Sequence, residues 1–119
     1  MVIFKPKFLI GIEGAAVLLT ACFYYQQVHG NWWWFALLFL APDVSILGYL
    51  VNKRIGAACY NFAHTYTLPL ALLGVLSITG HSSFFWLGII WLAHIGFDRL
   101  LGFGLKYESD FKDTHLQRI

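Results

Sequence analysis

The chain has 119 residues, 59% of them hydrophobic, 18% aromatic and only 12% charged, with a formal net charge of +2 and a mean hydropathy of +0.66. Soluble domains carry roughly 25% charged residues, so this composition excludes an ordinary soluble domain and indicates an integral membrane protein. The small positive charge lies at the edges of apolar segments and gives no footprint for a nucleic-acid partner.

Four apolar segments follow one another, near residues 8–28, 32–51, 55–78 and 84–105. Each is about twenty residues long, enough at 1.5 Å per residue to cross a hydrocarbon core of roughly 30 Å. The first follows Lys5 and Lys7. Its Leu19-Thr20-Ala21-Cys22 stretch resembles a lipoprotein cleavage box, but Glu13 interrupts the apolar run and aromatic residues follow, so an uncleaved helix is expected. The second segment opens on Trp32, Trp33 and Trp34 and carries Pro42 and Asp43. The third holds Asn61, His64 and Pro69, and the fourth His94, Asp98, Arg99 and Gly102. Short connections favour antiparallel neighbours, hence one all-α domain over residues 1–119: a four-transmembrane-helix up-and-down bundle with a tail over 106–119.

Basic residues set the orientation, because cytoplasmic connections retain Lys and Arg. Lys5 and Lys7, then Lys53 and Arg54, then Lys106, Lys112 and Arg118 mark one side, and the other two connections have neither residue type. Both termini are therefore expected in the cytoplasm, with membrane lipids as partners and the three tryptophans at the outer interface. Cys22 and Cys59 fall near opposite faces, too far apart to bridge, and two free thiols are expected.

Ionisable groups are costly in hydrocarbon, so they usually face a bundle interior and mark a working site. Counted from the cytoplasmic end of each segment, Glu13, Asn61, Asp98 and Arg99 lie roughly 9–11 Å deep, Asp43 and His64 roughly 12–14 Å, and His94 about 16 Å. All seven share the inner half. Helical spacing puts Asn61 and His64 on one face, and His94, Asp98 and Gly102 on another, the missing side chain at Gly102 leaving room for a backbone or substrate. Arg99 points about 100° away, towards Glu13, Asp43 or the headgroups.

Imidazole and carboxylate together are the ligand set of zinc, iron or manganese. Asp43, His64, His94 and Asp98 are the expected ligands, zinc favoured, with Glu13 a further ligand or catalytic base, and Asp98 and Arg99 also catalytic. Asn61, Arg99 and Tyr107 are expected to bind substrate. A zinc-bound water attacking an ester, amide or phosphoester, or a two-metal carboxylate site, would use this inventory. Other readings of the same residues are a non-catalytic ligand-binding protein, proton-coupled transport, a bis-imidazole haem between His64 and His94, and neutralised charges or capped carbonyls freed at Leu38 and Thr65 by Pro42 and Pro69. Asp113 and His115 in the tail are candidate extra ligands or proton-transfer groups beside the alternative of a solvated tail that could close the cavity. His29 and His81 lie on the far side and are set aside. Gly11, Gly14, Gly48, Gly56 and Gly74 offer close contacts within one bundle or between two chains, which leaves homo-oligomerisation open.

Ala41-Pro42-Asp43, Tyr60-Asn61-x-x-His64, Ala93-His94-Ile95-Gly96-x-Asp98-Arg99, Gly104-Leu105-Lys106-Tyr107 and Phe111-x-Asp113-Thr114-His115-Leu116 resemble, in that order, the bacterial membrane family known as domain of unknown function 4260. The resemblance implies a small four-helix inner-membrane protein and no particular activity. Similarity to ceramidase-like membrane hydrolases, which use His and Asp around an intramembrane zinc, is one of ingredients alone. A metal-dependent hydrolase acting on a lipid or other amphiphile from the cytoplasmic leaflet is the favoured expectation.

Overall fold

Pro6 begins the first helix at a position whose N–H would have no intrahelical partner, and α1 runs unbroken over Pro6–Gln27 in the computed structural model, which describes residues 4–119. Asn31 caps α2 (Trp32–Leu38) by accepting from the Trp33 N–H at 2.9 Å. The chain then winds more tightly, as a 3-10 helix over Ala41–Leu50 with Pro42 in its first turn. Asn52 caps α3 (Lys53–His64), accepting from the Ile55 N–H at 2.8 Å.

The third apolar segment is not one straight helix. Continued helix at Pro69 would drive its ring into the carbonyl of Thr65, four residues back. Thr65 turns extended instead, at φ −95° and ψ 139°, and α4 (Thr67–Ile78) restarts with Pro69 in its first turn, where a missing N–H is harmless. The two pieces meet at 47°. A short 3-10 turn over Ser82–Phe84 leads into α5 (Phe85–Leu101). Gly102 ends α5 at φ +93°, a left-handed conformation that glycine adopts without penalty. The last helix therefore stops at 101 rather than at 105. No atom would meet a Cβ at Gly102 within 4 Å, so the glycine turns the chain and is not the close approach expected of it.

Three helical stretches, Pro6–Gln27, Trp32–Leu50 and Ser82–Leu101, are long and apolar enough to cross a membrane, and a fourth is added if α3 and α4 count as one bent span. Their outward surfaces are apolar: Trp33 is 85% exposed, Leu50 84% and Ile78 88%, a coat that suits lipid and not water.

Two packings hold the site-bearing elements. The 3-10 helix lies along α3, and α1 lies along α5. Gly14 and Gly96 make the second crossing possible: a Cβ on Gly96 would sit 2.6 Å from the Gly14 carbonyl oxygen, and one on Gly14 2.5 Å from the Gly96 oxygen. Beyond this crossing, Ala21 and Tyr25 of α1 pack on Ile89, Ile90 and Ala93 of α5.

Replacing Gly96 with Ala should thus force two backbones apart and cost about 1–3 kcal/mol. Gly74, in the interior of α4 with nothing within 4 Å, should gain about 0.5–1 kcal/mol as Ala through helix propensity. Denaturation midpoints in detergent should fall for the first variant and rise for the second; equal shifts would contradict the crossing.

Candidate metal centre

Asp43 comes from the 3-10 helix, His64 from the last turn of α3, and His94 and Asp98 from successive turns of α5. One ligand atom from each lies within 4.8 Å of every other. His64 Nε2 stands 3.1 Å from His94 Nε2 and 3.2 Å from Asp43 Oδ1. His94 Nε2 is 3.2 Å from the same Asp43 oxygen, and both imidazole nitrogens are 3.4 Å from Asp98 Oδ2. His64 and His94 are buried, at 0% and 1% exposure.

Hydrogen-bond logic makes this convergence informative. His64 Nδ1 lies 2.8 Å from the Tyr60 carbonyl, which only accepts, so Nδ1 carries the proton and a neutral His64 presents a bare lone pair at Nε2. That lone pair faces two carboxylate oxygens and a second imidazole nitrogen. A neutral pair of histidines places at most one hydrogen among the four atoms, on His94 Nε2. Acceptors crowd together in this way around a cation. Zn–N distances of about 2.0–2.1 Å and Zn–O distances of about 2.0–2.2 Å at tetrahedral angles separate ligand atoms by about 3.3 Å, and the separations above run from 3.1 to 3.4 Å.

Groups behind the ligands hold them in place. The Tyr60 ring stacks on His64 with centroids 3.7 Å apart and planes 7° apart, and its hydroxyl lies 3.5 Å from Asp98 Oδ2. Phe39 meets the His94 ring edge-on at 5.2 Å. His94 Nδ1 is buried without a well-formed hydrogen bond, with the Phe39 backbone its looser neighbour. The break after α3 leaves carbonyls without intrahelical donors. Trp91 Nε1 donates to the Ala63 carbonyl at 2.6 Å, and Arg99 donates to those of His64 at 2.8 Å and Phe103 at 3.0 Å.

Of the residues expected at the site, Asp43, His64, His94 and Asp98 come together and others do not. Glu13 is exposed on α1 and outside the four-residue group, because the face of α1 that meets α5 is given to Gly14. Arg99 is buried but makes no ion pair with Glu13 or Asp43 among the described residues; its donors serve carbonyls. Those bonds tie it to the end of α3 and the turn after α5. Asn61 is occupied too. Its amide donates to the Lys106 carbonyl at 2.8 Å and accepts from the Lys106 N–H at 2.6 Å. Tyr107 is 39% exposed and lies under the Arg118 guanidinium, 3.5 Å from the ring centroid, away from the ligand group. Cys22 and Cys59 are free thiols, as expected.

The tail is docked at Lys106, Thr114 and Leu116, while residues 107–112 and 117–119 are exposed. Thr114 and Leu116 are buried, and Lys106 pairs with Thr114 in an isolated antiparallel bridge. His115 and Leu105 exchange two bonds of 2.8 Å, the Leu105 N–H donating to His115 Nδ1. This engages the Nδ1 of His115, which stands outside the four-residue group. Asp113 is held by Arg118, at 2.9 and 2.6 Å, and by Ser109, bonds that keep its carboxyl down at about 2. Lys106 is the residue that sequence reasoning missed. It is 6% exposed, its Nζ donates to the Phe111 carbonyl at 2.7 Å and lies over the Tyr60 and Phe111 rings at 4.4 and 3.8 Å. No helical spacing flags it, since it lies beyond the last helix.

The chain belongs to the family described as domain of unknown function (DUF4260), whose profile matches residues 7–119. No curated protein and no solved structure gives a significant match.

Arg99→Met leaves the His64 and Phe103 carbonyls unpartnered and should cost about 2 kcal/mol or more of stability. A variant that retains full stability would contradict the capping role. The His115 bond has a pH signature: burial and the nearby Arg99 charge pull the imidazole below its ordinary 6.5. A folded-state value below the unfolded one means that the tail's stabilisation is complete above pH 6.5 and is lost as pH falls through the lowered value. Hydrogen-exchange protection of the Leu105 and His115 amides should accordingly drop on acidification below pH 6.5; constant protection down to pH 4 would contradict it.

Proposed function

We propose that this family member is a multi-pass protein of the bacterial inner membrane that holds one divalent cation, zinc by its donor set, between Asp43, His64, His94 and Asp98. In this reading α3 and α4 form one bent span, giving four spans with both termini cytoplasmic. The distribution of Lys and Arg supports that orientation. The observation that carries the metal is the meeting of two imidazole nitrogens and two carboxylate oxygens at 3.1–3.4 Å, with His64 Nε2 left as an acceptor when that imidazole is neutral.

Hydrolysis of a lipid or other amphiphile is the reaction this arrangement supports best. A bound zinc supplies Lewis acidity and lowers the pKa of a coordinated water to about 7. The chain's own part is to keep the imidazoles aimed, through the Tyr60 carbonyl and the Tyr60 ring, and to handle the proton. Asp43 has a side chain 40% exposed and, with Asp98, lines a cavity of about 570 Å³. The edge between the two carboxylates is therefore where a water or substrate oxygen enters. For turnover His64, His94 and Asp98 would suffice to hold the ion with its fourth position open to water, and Asp43, the more exposed carboxylate, would act as the base, taking the proton of the water that adds to an acyl carbon or phosphorus and passing it to the departing alcohol.

Metal analysis of detergent-purified protein tests the site. One equivalent of zinc per chain is expected, lost in His64→Ala and Asp98→Asn and retained in Glu13→Gln. A folded protein that neither retains nor takes up a divalent metal would contradict the proposal.

A further inference from the structure

Asp43 and Asp98 open onto a cavity whose remaining walls come largely from the tail and the turn before it: Phe103, Lys106, Phe111 and Lys112 among them. The charge balance of that cavity depends on what the ligand group holds. Two imidazoles, two carboxylates and a divalent cation sum to zero, and this step rests on the metal site proposed above. The ammonium groups of Lys106 and Lys112 then remain as uncompensated positive charge on the cavity wall. Lys106 is fixed, its Nζ spending one hydrogen on the Phe111 carbonyl at 2.7 Å, which leaves two of its three N–H donors for another acceptor. A buried ammonium backed by two aromatic rings and facing a neutral metal centre is a site for an anion.

Much of the rest of the wall is apolar and reaches the outside of the molecule: Ile46 is 36% exposed, Phe103 50% and Phe111 40%, beside the polar Thr114 and Gln117. A small hydrophilic anion has no use for such a mouth. An anion carried on a hydrocarbon chain does, because its head meets Lys106 and the metal while its chain stays against apolar side chains continuous with the membrane.

We propose that the tail-capped cavity recognises the phosphate head of an anionic amphiphile, with Lys106 as the group that selects for negative charge and Lys112 assisting at the mouth. Lys106 binds substrate in this account and does not hold the metal. The cavity's position beneath the docked tail makes the selection a property of the folded tail, which Asn61, Thr114 and His115 secure.

Isothermal titration of the zinc-loaded full chain in neutral detergent tests this, with three probes: short-chain phosphatidate, the matching short-chain phosphatidylcholine, and inorganic phosphate. Phosphatidate should bind at least tenfold more tightly than either of the others. Lys106→Gln should remove at least tenfold of that preference with its zinc content unchanged, and Lys112→Gln, at an exposed position that folding tolerates, should reduce it severalfold. Equal binding of phosphatidate and phosphatidylcholine would overturn the anion selection. Inorganic phosphate binding as tightly as phosphatidate would overturn the amphiphile. Stripping the zinc with a chelator should weaken phosphatidate binding, because Asp43 and Asp98 then offset the two ammonium groups; binding unchanged by zinc removal would overturn the charge argument for the head-group site, whereas a chain that never takes up zinc would overturn the metal site beneath it.

Discussion

An unprotonated imidazole nitrogen pointing at two carboxylates is the constraint from which the rest of this molecule follows. The proton of His64 is committed to the Tyr60 carbonyl, so its Nε2 contributes a lone pair to a place already occupied by lone pairs. In water such groups would separate; in a helical bundle they are carried on elements fixed by other contacts. A cation between them would reconcile that nearness, which is the ground for the metal proposed above.

Placing His64 there requires helix α3 to end in the apolar zone, which is otherwise a costly event. Pro69 forces the break, and α5 makes it affordable by sending Trp91 and Arg99 to the exposed carbonyls of Ala63 and His64. The same helix carries His94 and Asp98 on its adjacent face. α5 is thus both the scaffold that mends the break and half of the ligand set, and its own position is set by the Gly14–Gly96 crossing with α1. A shift along that crossing would move ligands and caps together, so stability and site geometry are coupled through one helix.

Much of this was legible in the residues. Helical spacing joined His94 to Asp98, and depth counted along each segment brought Asp43 and His64 to the same level, because rise per residue is a property of any helix. Rotation about the helix axis is not, and there depth misled. Glu13 lies at the right level but off the face of α1 that packing gives to Gly14, and one of the two carbonyls that Arg99 meets, that of His64, is free only because α3 stops. The tail was the least legible part. Its docking depends on the Asn61 side-chain amide meeting the backbone of Lys106, 45 residues away in sequence, and a backbone partner leaves no mark in residue type. Nor did composition show that 41–50 would wind as a 3-10 helix, since Pro42 is as welcome in the first turn of either kind.

X-ray absorption at the zinc edge tests the central claim most directly, because it reports the atoms around the ion. The account predicts a first shell of nitrogen and oxygen at about 2.0–2.2 Å, with outer-shell scattering from two imidazoles that falls to one in His94→Ala. A shell containing sulfur, or one without imidazole scattering, would contradict it.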